Sequence, residues 1–330
     1  MTQPGVLRLP PRAAALTPFA SAVLAGLGSR PRVIPARFFY DRAGSELFEA
    51  ITALPEYYPT RTETALLAAH AAQIAALVGQ GRAMVEFGAG SSAKTPLLLR
   101  ALSPSAYVPV DISGEFLHAS AQSLAASHPG LPVLPVTGDF TQTLALPPAL
   151  HGQPLLGFFP GSTIGNLTHA DAIDLLRNFR ATLDATLGAD AWLVIGMDTR
   201  KDRARLLRAY DDAAGVTAAF NLNLLHRVNR ELHGTIPVAA FVHEARWNDE
   251  AGRIEMHLRA TRAVSFRVLG EPFTVAAGET IHTENSYKYT PDEVRLMAHA
   301  SGWTPVRAWT DEENLFGLHV WRAEPPGLQP

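Results

Sequence analysis

Cysteine is absent from all 330 residues, which excludes disulfides and thiolate metal sites and suits a reducing, cytoplasmic setting. No stretch reaches the roughly 18 to 20 continuous apolar residues of a membrane span, so no membrane partner is expected. Basic and acidic residues number 28 and 31, leave a net charge of −3 and form no run of one sign. A phosphate backbone would want a basic stripe, so nucleic acid is not expected as a partner. The histidines show neither an HExxH pattern nor another close metal spacing, and no metal is assigned. Repeats and low-complexity tracts are missing too. What is present suffices for a large core, with 47% hydrophobic against 18% charged residues. The length allows two domains, or one domain carrying an insertion.

Near the amino terminus, Arg8 and Arg12 precede an apolar run over residues 13–28, and Ala20-Ser21-Ala22 resembles a cleavage site. Pro18 and small residues interrupt that run, so a helix capping a domain is the expected reading. Residues 30–60 are irregular and rich in proline and aromatic rings. Thr60 and Glu63 have the spacing of a capping box, opening a helix through Leu66, Leu67, Ile74, Leu77 and Val78. Strand candidates follow at residues 83–87, 106–110, 133–136, 155–159 and 192–197, separated by helical or loop segments. Such alternation predicts a parallel sheet with helices on both faces. Thr95 and Pro96 suit the N-cap and first turn of the first crossover helix.

Beyond Lys201 the texture changes. Residues 205–232 read as one or two helices around Gly215, and 253–258 alternate with period two, as a half-buried strand does. Residues 273–275 and 280–283 add strand material, which predicts an antiparallel insertion. Thr290 and Glu293 form a second capping box, and residues 305–309 and 316–321 a terminal hairpin.

The chemistry concentrates where the first strand ends. Glu86 is followed by Gly88-Ala89-Gly90 and then a helix start, and Gly88, Gly90 and Ala93 satisfy G-x-G-x-x-A. A pyrophosphate would be repelled by Glu86, whereas an ammonium would be attracted. Asp111 ends the second strand, where it can accept from both ribose hydroxyls. Asp139 and Phe140 end the third, offering an acceptor for an adenine amine and a ring for its face. Lys94 is placed to meet a cofactor carboxylate. Acids at three successive strand ends point to S-adenosyl-L-methionine rather than a nicotinamide dinucleotide.

Other strings are not explained by folding needs: Phe39-Tyr40-Asp41, residues 54–61, Gly161–Leu167, Tyr210–Asn221, Arg253–Met256 and Thr283–Ser286. Together they resemble the S-adenosylmethionine-dependent L-histidine Nα-methyltransferases of ergothioneine biosynthesis, from about Arg37 to the carboxyl terminus. The resemblance implies three successive methyl transfers to the α-amine of L-histidine, through its mono- and dimethyl forms, giving hercynine. It implies that Asn166 and Tyr210 hold the substrate carboxylate, and that Tyr57, Glu284 and Ser286 engage the imidazole. Tyr40 would orient the α-amine as the catalytic residue, with Phe48 beside it. Gly161 would allow close backbone approach, and Met256 would pack along the ring. Thr199-Arg200 and Tyr287-Lys288-Tyr289 depart from the family's usual residues or lie where it varies, and are expected to touch none of these contacts.

The fold implied is α/β: a Rossmann-like seven-stranded methyltransferase domain with a discontinuous α+β substrate-binding domain. Residues 62–199 and 286–330 would form the first, residues 1–61 and 200–285 the second, and a monomer is expected. Another aromatic amino acid, such as tryptophan, is the alternative substrate. Glu284 and Met256 argue against it, since an indole offers one donor and needs more room.

Overall fold

The computed structural model describes residues 16–90, 94–112, 114–184 and 190–323. Seven strands form the main sheet: β2 (Ala83–Phe87), β3 (Tyr107–Asp111), β4 (Val136–Thr137), β5 (Leu155–Phe159), β6 (Trp192–Asp198), β12 (Trp303–Thr310) and β13 (Phe316–Ala323). Their spatial order is β12-β13-β6-β5-β2-β3-β4. The strands β4, β3, β2, β5 and β6 run parallel, while β13 is antiparallel to both β6 and β12. All residues of β2, β5 and β6 are buried, as strands covered on both faces require. Alternate side chains enter two cores. Phe158 and Val194 join Leu66, Leu67, Ile74 and Leu98 from α3 (Tyr58–Val78) and α4 (Thr95–Leu102). Phe159 and Ile195 join Leu176 and Phe179 from α6 (His169–Asp184) and Val294 and Met297 from α9 (Pro291–Ala300). The helix α5 (Gly114–Ser127) connects β3 to the β4 edge.

A second sheet, in the order β1-β11-β8-β7, contains β1 (Arg32–Val33), β7 (Phe241–Asn248), β8 (Arg253–Ala260) and β11 (Thr280–Tyr287). Its apolar face packs on α1 (Pro18–Gly28), α2 (Arg42–Thr52), α7 (Arg203–Tyr210) and α8 (Val216–Glu231), through residues such as Val23, Phe39, Leu224, Met256 and Ile281. The hairpin of β9 (Val264–Val268) and β10 (Glu271–Val275) completes this region. Ala20-Ser21-Ala22 lies within α1, whose Phe19, Ala20, Val23 and Leu27 are buried. The parallel pairing of β1 with β11 ties the amino-terminal segment to the inserted strands.

Apart from the third, the expected strands of the parallel series, the antiparallel insertion, the break at Gly215 and the Thr290–Glu293 capping box are present. Three local expectations are corrected. The third strand shrinks to Val136–Thr137, because Pro132 and Pro135 lack the N–H groups a longer ladder would use. Thr60 does not cap a helix: α3 begins at Tyr58, with Pro59 in its first turn, and Glu63 lies buried in its interior. The N-cap position of α4 is Lys94, and the Thr95 hydroxyl donates instead to Glu86.

Candidate active site

The cofactor end is built from the loop after β2. Gly88 and Gly90 have φ of 72° and 46°, a left-handed backbone that favours glycine. The N–H groups of Gly88 and Ala89 both donate to the Val110 carbonyl, at 2.8 and 3.1 Å, which pins the loop to β3. A Cβ on Gly88 would lie 3.4 Å from the Phe140 ring, so that ring closes over the loop. Asp111 ends β3 and its Oδ2 accepts from the Gly90 N–H at 3.3 Å. Asp139 Oδ1 accepts from the Thr141 N–H and hydroxyl at 3.0 and 2.6 Å, so Asp139 and Phe140 stay fixed beside the loop. Ala93 lies outside the described residues.

Glu86 and Lys94 are placed differently from expectation. Glu86 is 1% exposed, and its Oε2 accepts from the Thr95 and Tyr107 hydroxyls at 2.6 and 2.8 Å. It is a strut beneath the loop rather than an open carboxylate at the strand end. Burial pushes its carboxyl up to about 7, against the opposing pull of those hydroxyls. Lys94 pairs with Glu63, whose carboxylate is fully buried and also accepts from the Gly161 N–H at 2.9 and 3.0 Å. Glu63 fits because residue 196 is glycine: a Cβ there would stand 1.9 Å from Glu63 Oε1. One buried acid thus joins the cofactor loop to the wall of the neighbouring pocket. Sequence reasoning missed it, because the Thr60–Glu63 spacing matched a capping box.

Tyr40, Phe48, Tyr57, Gly161, Asn166, Tyr210, Met256, Glu284 and Ser286, all singled out from sequence, line one pocket. Tyr40 packs edge-on against Phe48 at 5.6 Å, and Tyr57 meets Tyr210 at 6.2 Å. Desolvation raises the pKa of buried Tyr57 and Tyr210, with Glu284 adding to each, and desolvation and Glu284 push the more exposed Tyr40 in the same direction, so the three phenols stay protonated. Among the described residues, no protein group bonds the side-chain polar ends of Tyr40, Tyr57, Asn166 or Glu284. Desolvation carries the Glu284 carboxyl up to about 7, opposed by Lys288. A pocket with unspent donors and acceptors is suited to a polar ligand, because leaving such groups unpaired on desolvation is costly.

A β-bulge aims two of these side chains. Ile281 and Thr283 face α8, where Thr283 donates to Asn221 Oδ1 at 2.8 Å. Strict alternation would turn Glu284 and Ser286 to the opposite face. The register shift between His282 and Glu284 reverses the phase, so Glu284 pairs with Met256, Ser286 pairs with Ile254, and both face the pocket.

Behind the pocket lies a charged network that the sequence did not disclose. Asp198, at the end of β6, is 1% exposed and accepts from Lys201, from Lys288 at 2.7 Å and from the Tyr58 hydroxyl at 2.8 Å. Burial opposes its charge, but Lys288 and Lys201 win and hold its carboxyl below the usual range. Lys201 is itself lowered to about 8 by desolvation, with Asp198 opposing. Lys288 also donates to the Tyr210 hydroxyl at 2.9 Å and the Ser286 hydroxyl at 2.7 Å. The expectation that residues 287–289 touch none of the substrate contacts is therefore wrong for Lys288. Arg200, the other departure, donates to the Lys288 carbonyl and pairs with Glu293, behind β11.

On the far face of the second sheet, Glu255, His257 and His282 bring ligand atoms within 4.8 Å of one another. The two rings stack at 4.8 Å with 18° between planes, and His257 Nε2 lies 3.1 Å from Glu255 Oε2. Arg253 occupies Glu255 Oε1.

The family model of histidine-specific, SAM-dependent methyltransferases matches residues 19–323. A histidine N-alpha-methyltransferase of Mycolicibacterium smegmatis is 43% identical over 304 residues, covering 90% of this chain and 92% of that protein. Ergothioneine biosynthesis protein 1 of Neurospora crassa is 32% identical, covering 88% of this chain and 33% of its own length. A 4-dimethylallyltryptophan N-methyltransferase of Aspergillus fumigatus is 27% identical, covering 87% and 88%. With most of its length matched, and with the pocket strings gathered around one cleft beside a glycine loop, the chain belongs to the histidine-specific, S-adenosylmethionine-dependent methyltransferase family.

Proposed function

We propose that the protein transfers three methyl groups in succession to the α-amine of L-histidine, giving hercynine, the first step of ergothioneine biosynthesis. The observation that carries this reading is the pair Glu284 and Ser286. They share the pocket face of β11, supply a carboxylate and a hydroxyl at adjacent inward positions, and stand over Met256. Imidazole has two ring nitrogens to satisfy, and this pair has two groups to satisfy them. Asn166 and Tyr210 would hold the substrate carboxylate, and Tyr57 would close the ring side.

The loop fits the cofactor: a left-handed Gly88 and Gly90 leave open backbone beside Asp111, Asp139 and the Phe140 ring. We assign the ribose to Asp111 and the adenine to Asp139 and Phe140, with Gly88 and Gly90 as floor and Lys94, held by Glu63, bracing that floor. Glu86 supports that floor from beneath. Bound there, S-adenosylmethionine supplies an electrophilic methyl group. The chain's own task is to hold a neutral amine with its lone pair in line, so positioning dominates. Tyr40 fixes the amine through its protonated hydroxyl, and its ring face attracts the growing methylammonium. The proton lost before each transfer goes to water, since the raised phenols offer no ready base.

The same reading divides the chain into a cofactor domain of residues 62–199 and 286–330 and a substrate domain of residues 1–61 and 200–285. The helix α3 and the strand β11 run across the joints and so tie the two together. No helix among the described residues is long and apolar enough to cross a membrane. We take the enzyme to be a cytoplasmic monomer acting on the free amino acid, without a nucleic-acid partner.

Incubation with S-adenosylmethionine and an equimolar amino-acid mixture, followed by mass spectrometry, tests the proposal. Histidine should gain three methyl groups while the other amino acids stay unchanged. Methylation of tryptophan in its place would refute the roles of Glu284 and Met256.

A further inference from the structure

Lys288 is fully buried, and its ammonium donates in three directions: to Asp198 Oδ2 at 2.7 Å, Ser286 Oγ at 2.7 Å and the Tyr210 hydroxyl at 2.9 Å. The two hydroxyl oxygens lie 2.6 Å apart. Two oxygens so close are tolerable only with a proton between them. The pair owns two hydroxyl protons, and one is consumed internally. A single proton therefore remains for a ligand, on one oxygen or on the other. If Ser286 donates to Tyr210, the phenol proton faces the pocket and Ser286 faces it as an acceptor. If Tyr210 donates to Ser286, the roles are reversed. Donor at one end forces acceptor at the other.

We propose that Lys288 is a positioning residue which, by bridging both oxygens, locks Tyr210 and Ser286 into this coupled pair and so makes recognition of the substrate carboxylate dictate which ring nitrogen must carry a proton. The inference rests on the substrate placement proposed above. An anionic carboxylate at Tyr210 claims the free proton, because a charge-assisted bond is roughly twice as strong as a neutral one. Ser286 is then left as an acceptor and demands an N–H from the ring. The second ring nitrogen shares a proton with Glu284, which can hold it on either side of that bond. The pocket therefore rejects an amino acid whose ring has no N–H, even where the ring has the right size.

Removing the ammonium would let the two oxygens move apart and reorient independently, and Ser286 could then donate to a ring lone pair. Lys288→Met should lower the ratio of affinities for histidine over β-(4-thiazolyl)-L-alanine, a similar ring without N–H, by about tenfold or more. Affinities would be measured on the full chain saturated with S-adenosylhomocysteine. Equal loss for both ligands would mark Lys288 as merely structural and overturn the proposal.

A measurement that does not depend on the folding of that variant uses ring-¹⁵N-labelled histidine bound to the unaltered protein with S-adenosylhomocysteine. The nitrogen whose shift moves in Ser286→Ala is the one facing Ser286. It should carry a proton. If it shows the shift of an unprotonated nitrogen, the polarity proposal is wrong while the substrate assignment stands. If labelled histidine does not bind, both fall.

Discussion

The two halves of the cleft spend their polar groups in opposite ways. On the cofactor side charged and polar ends of the described residues are engaged within the protein: Glu86 with Thr95 and Tyr107, Lys94 with Glu63, Asp139 with Thr141, Gly90 with Asp111. On the substrate side Tyr40, Tyr57, Asn166 and Glu284 keep theirs open among the described residues, while Tyr210 and Ser286 bond to each other and to Lys288. A floor held by internal bonds is preorganised and can serve any substrate of the fold. Selectivity then belongs to the open ends, where an amino acid must supply what the pocket lacks.

Breaking the engaged side should cost stability first. Glu63→Ala removes the partner of Lys94 and the acceptor for Gly161, and a broken buried pair typically costs about 3–5 kcal/mol. Denaturant unfolding of the cofactor-free protein should show that loss, and a change below about 1 kcal/mol would mean Glu63 is not a joint. Breaking the open side should cost activity instead. Glu284→Ala is expected to lower kcat/KM for histidine by about 10²-fold, on the scale of a charged hydrogen bond, and to admit bulkier rings. Its cofactor-free stability should hold or rise, since a desolvated carboxylate is removed.

Glu86 sharpens the contrast through pH. Its carboxyl rises from 4.5 to about 7 on folding, so between those values the native state binds more protons than the unfolded chain. Stability from this group is therefore lost as pH rises through that window, by at most about 3.4 kcal/mol at 1.36 kcal/mol per unit. Glu86→Gln, whose amide oxygen can still accept from Thr95 and Tyr107, should flatten part of the pH dependence of unfolding. An unchanged slope would mean that the carboxylate is not desolvated as described. The smallest effect is expected at Tyr57→Phe, which removes one open hydroxyl and should raise KM for histidine about three- to tenfold. A larger fall in kcat than in binding would move Tyr57 toward the reacting amine.

The sequence made the scaffold legible wherever a local signal had one meaning. The apolar runs of β2, β5 and β6, the Thr290–Glu293 capping box and the break at Gly215 fall where composition places them. The pocket residues were legible only through the resemblance, because Tyr57, Asn166 and Met256 are unremarkable by spacing alone. Long-range pairings left no local trace. Glu63 lies 31 positions from Lys94 and its spacing from Thr60 invited another reading. The bulge that turns Glu284 inward breaks the alternation from which facing is inferred. Lys288 reaches Asp198 only because β6 and β11 end beside each other, and no periodicity within either strand encodes that.

Calorimetric titration of histidine into S-adenosylhomocysteine-saturated protein, in parallel for the unaltered chain and Glu284→Ala, tests the division of labour most directly. The account predicts binding to the unaltered protein, an affinity about 10²-fold weaker in the variant, and S-adenosylhomocysteine affinity within a factor of two in both. Equal histidine affinity in the two proteins would contradict it and remove the open carboxylate from substrate recognition.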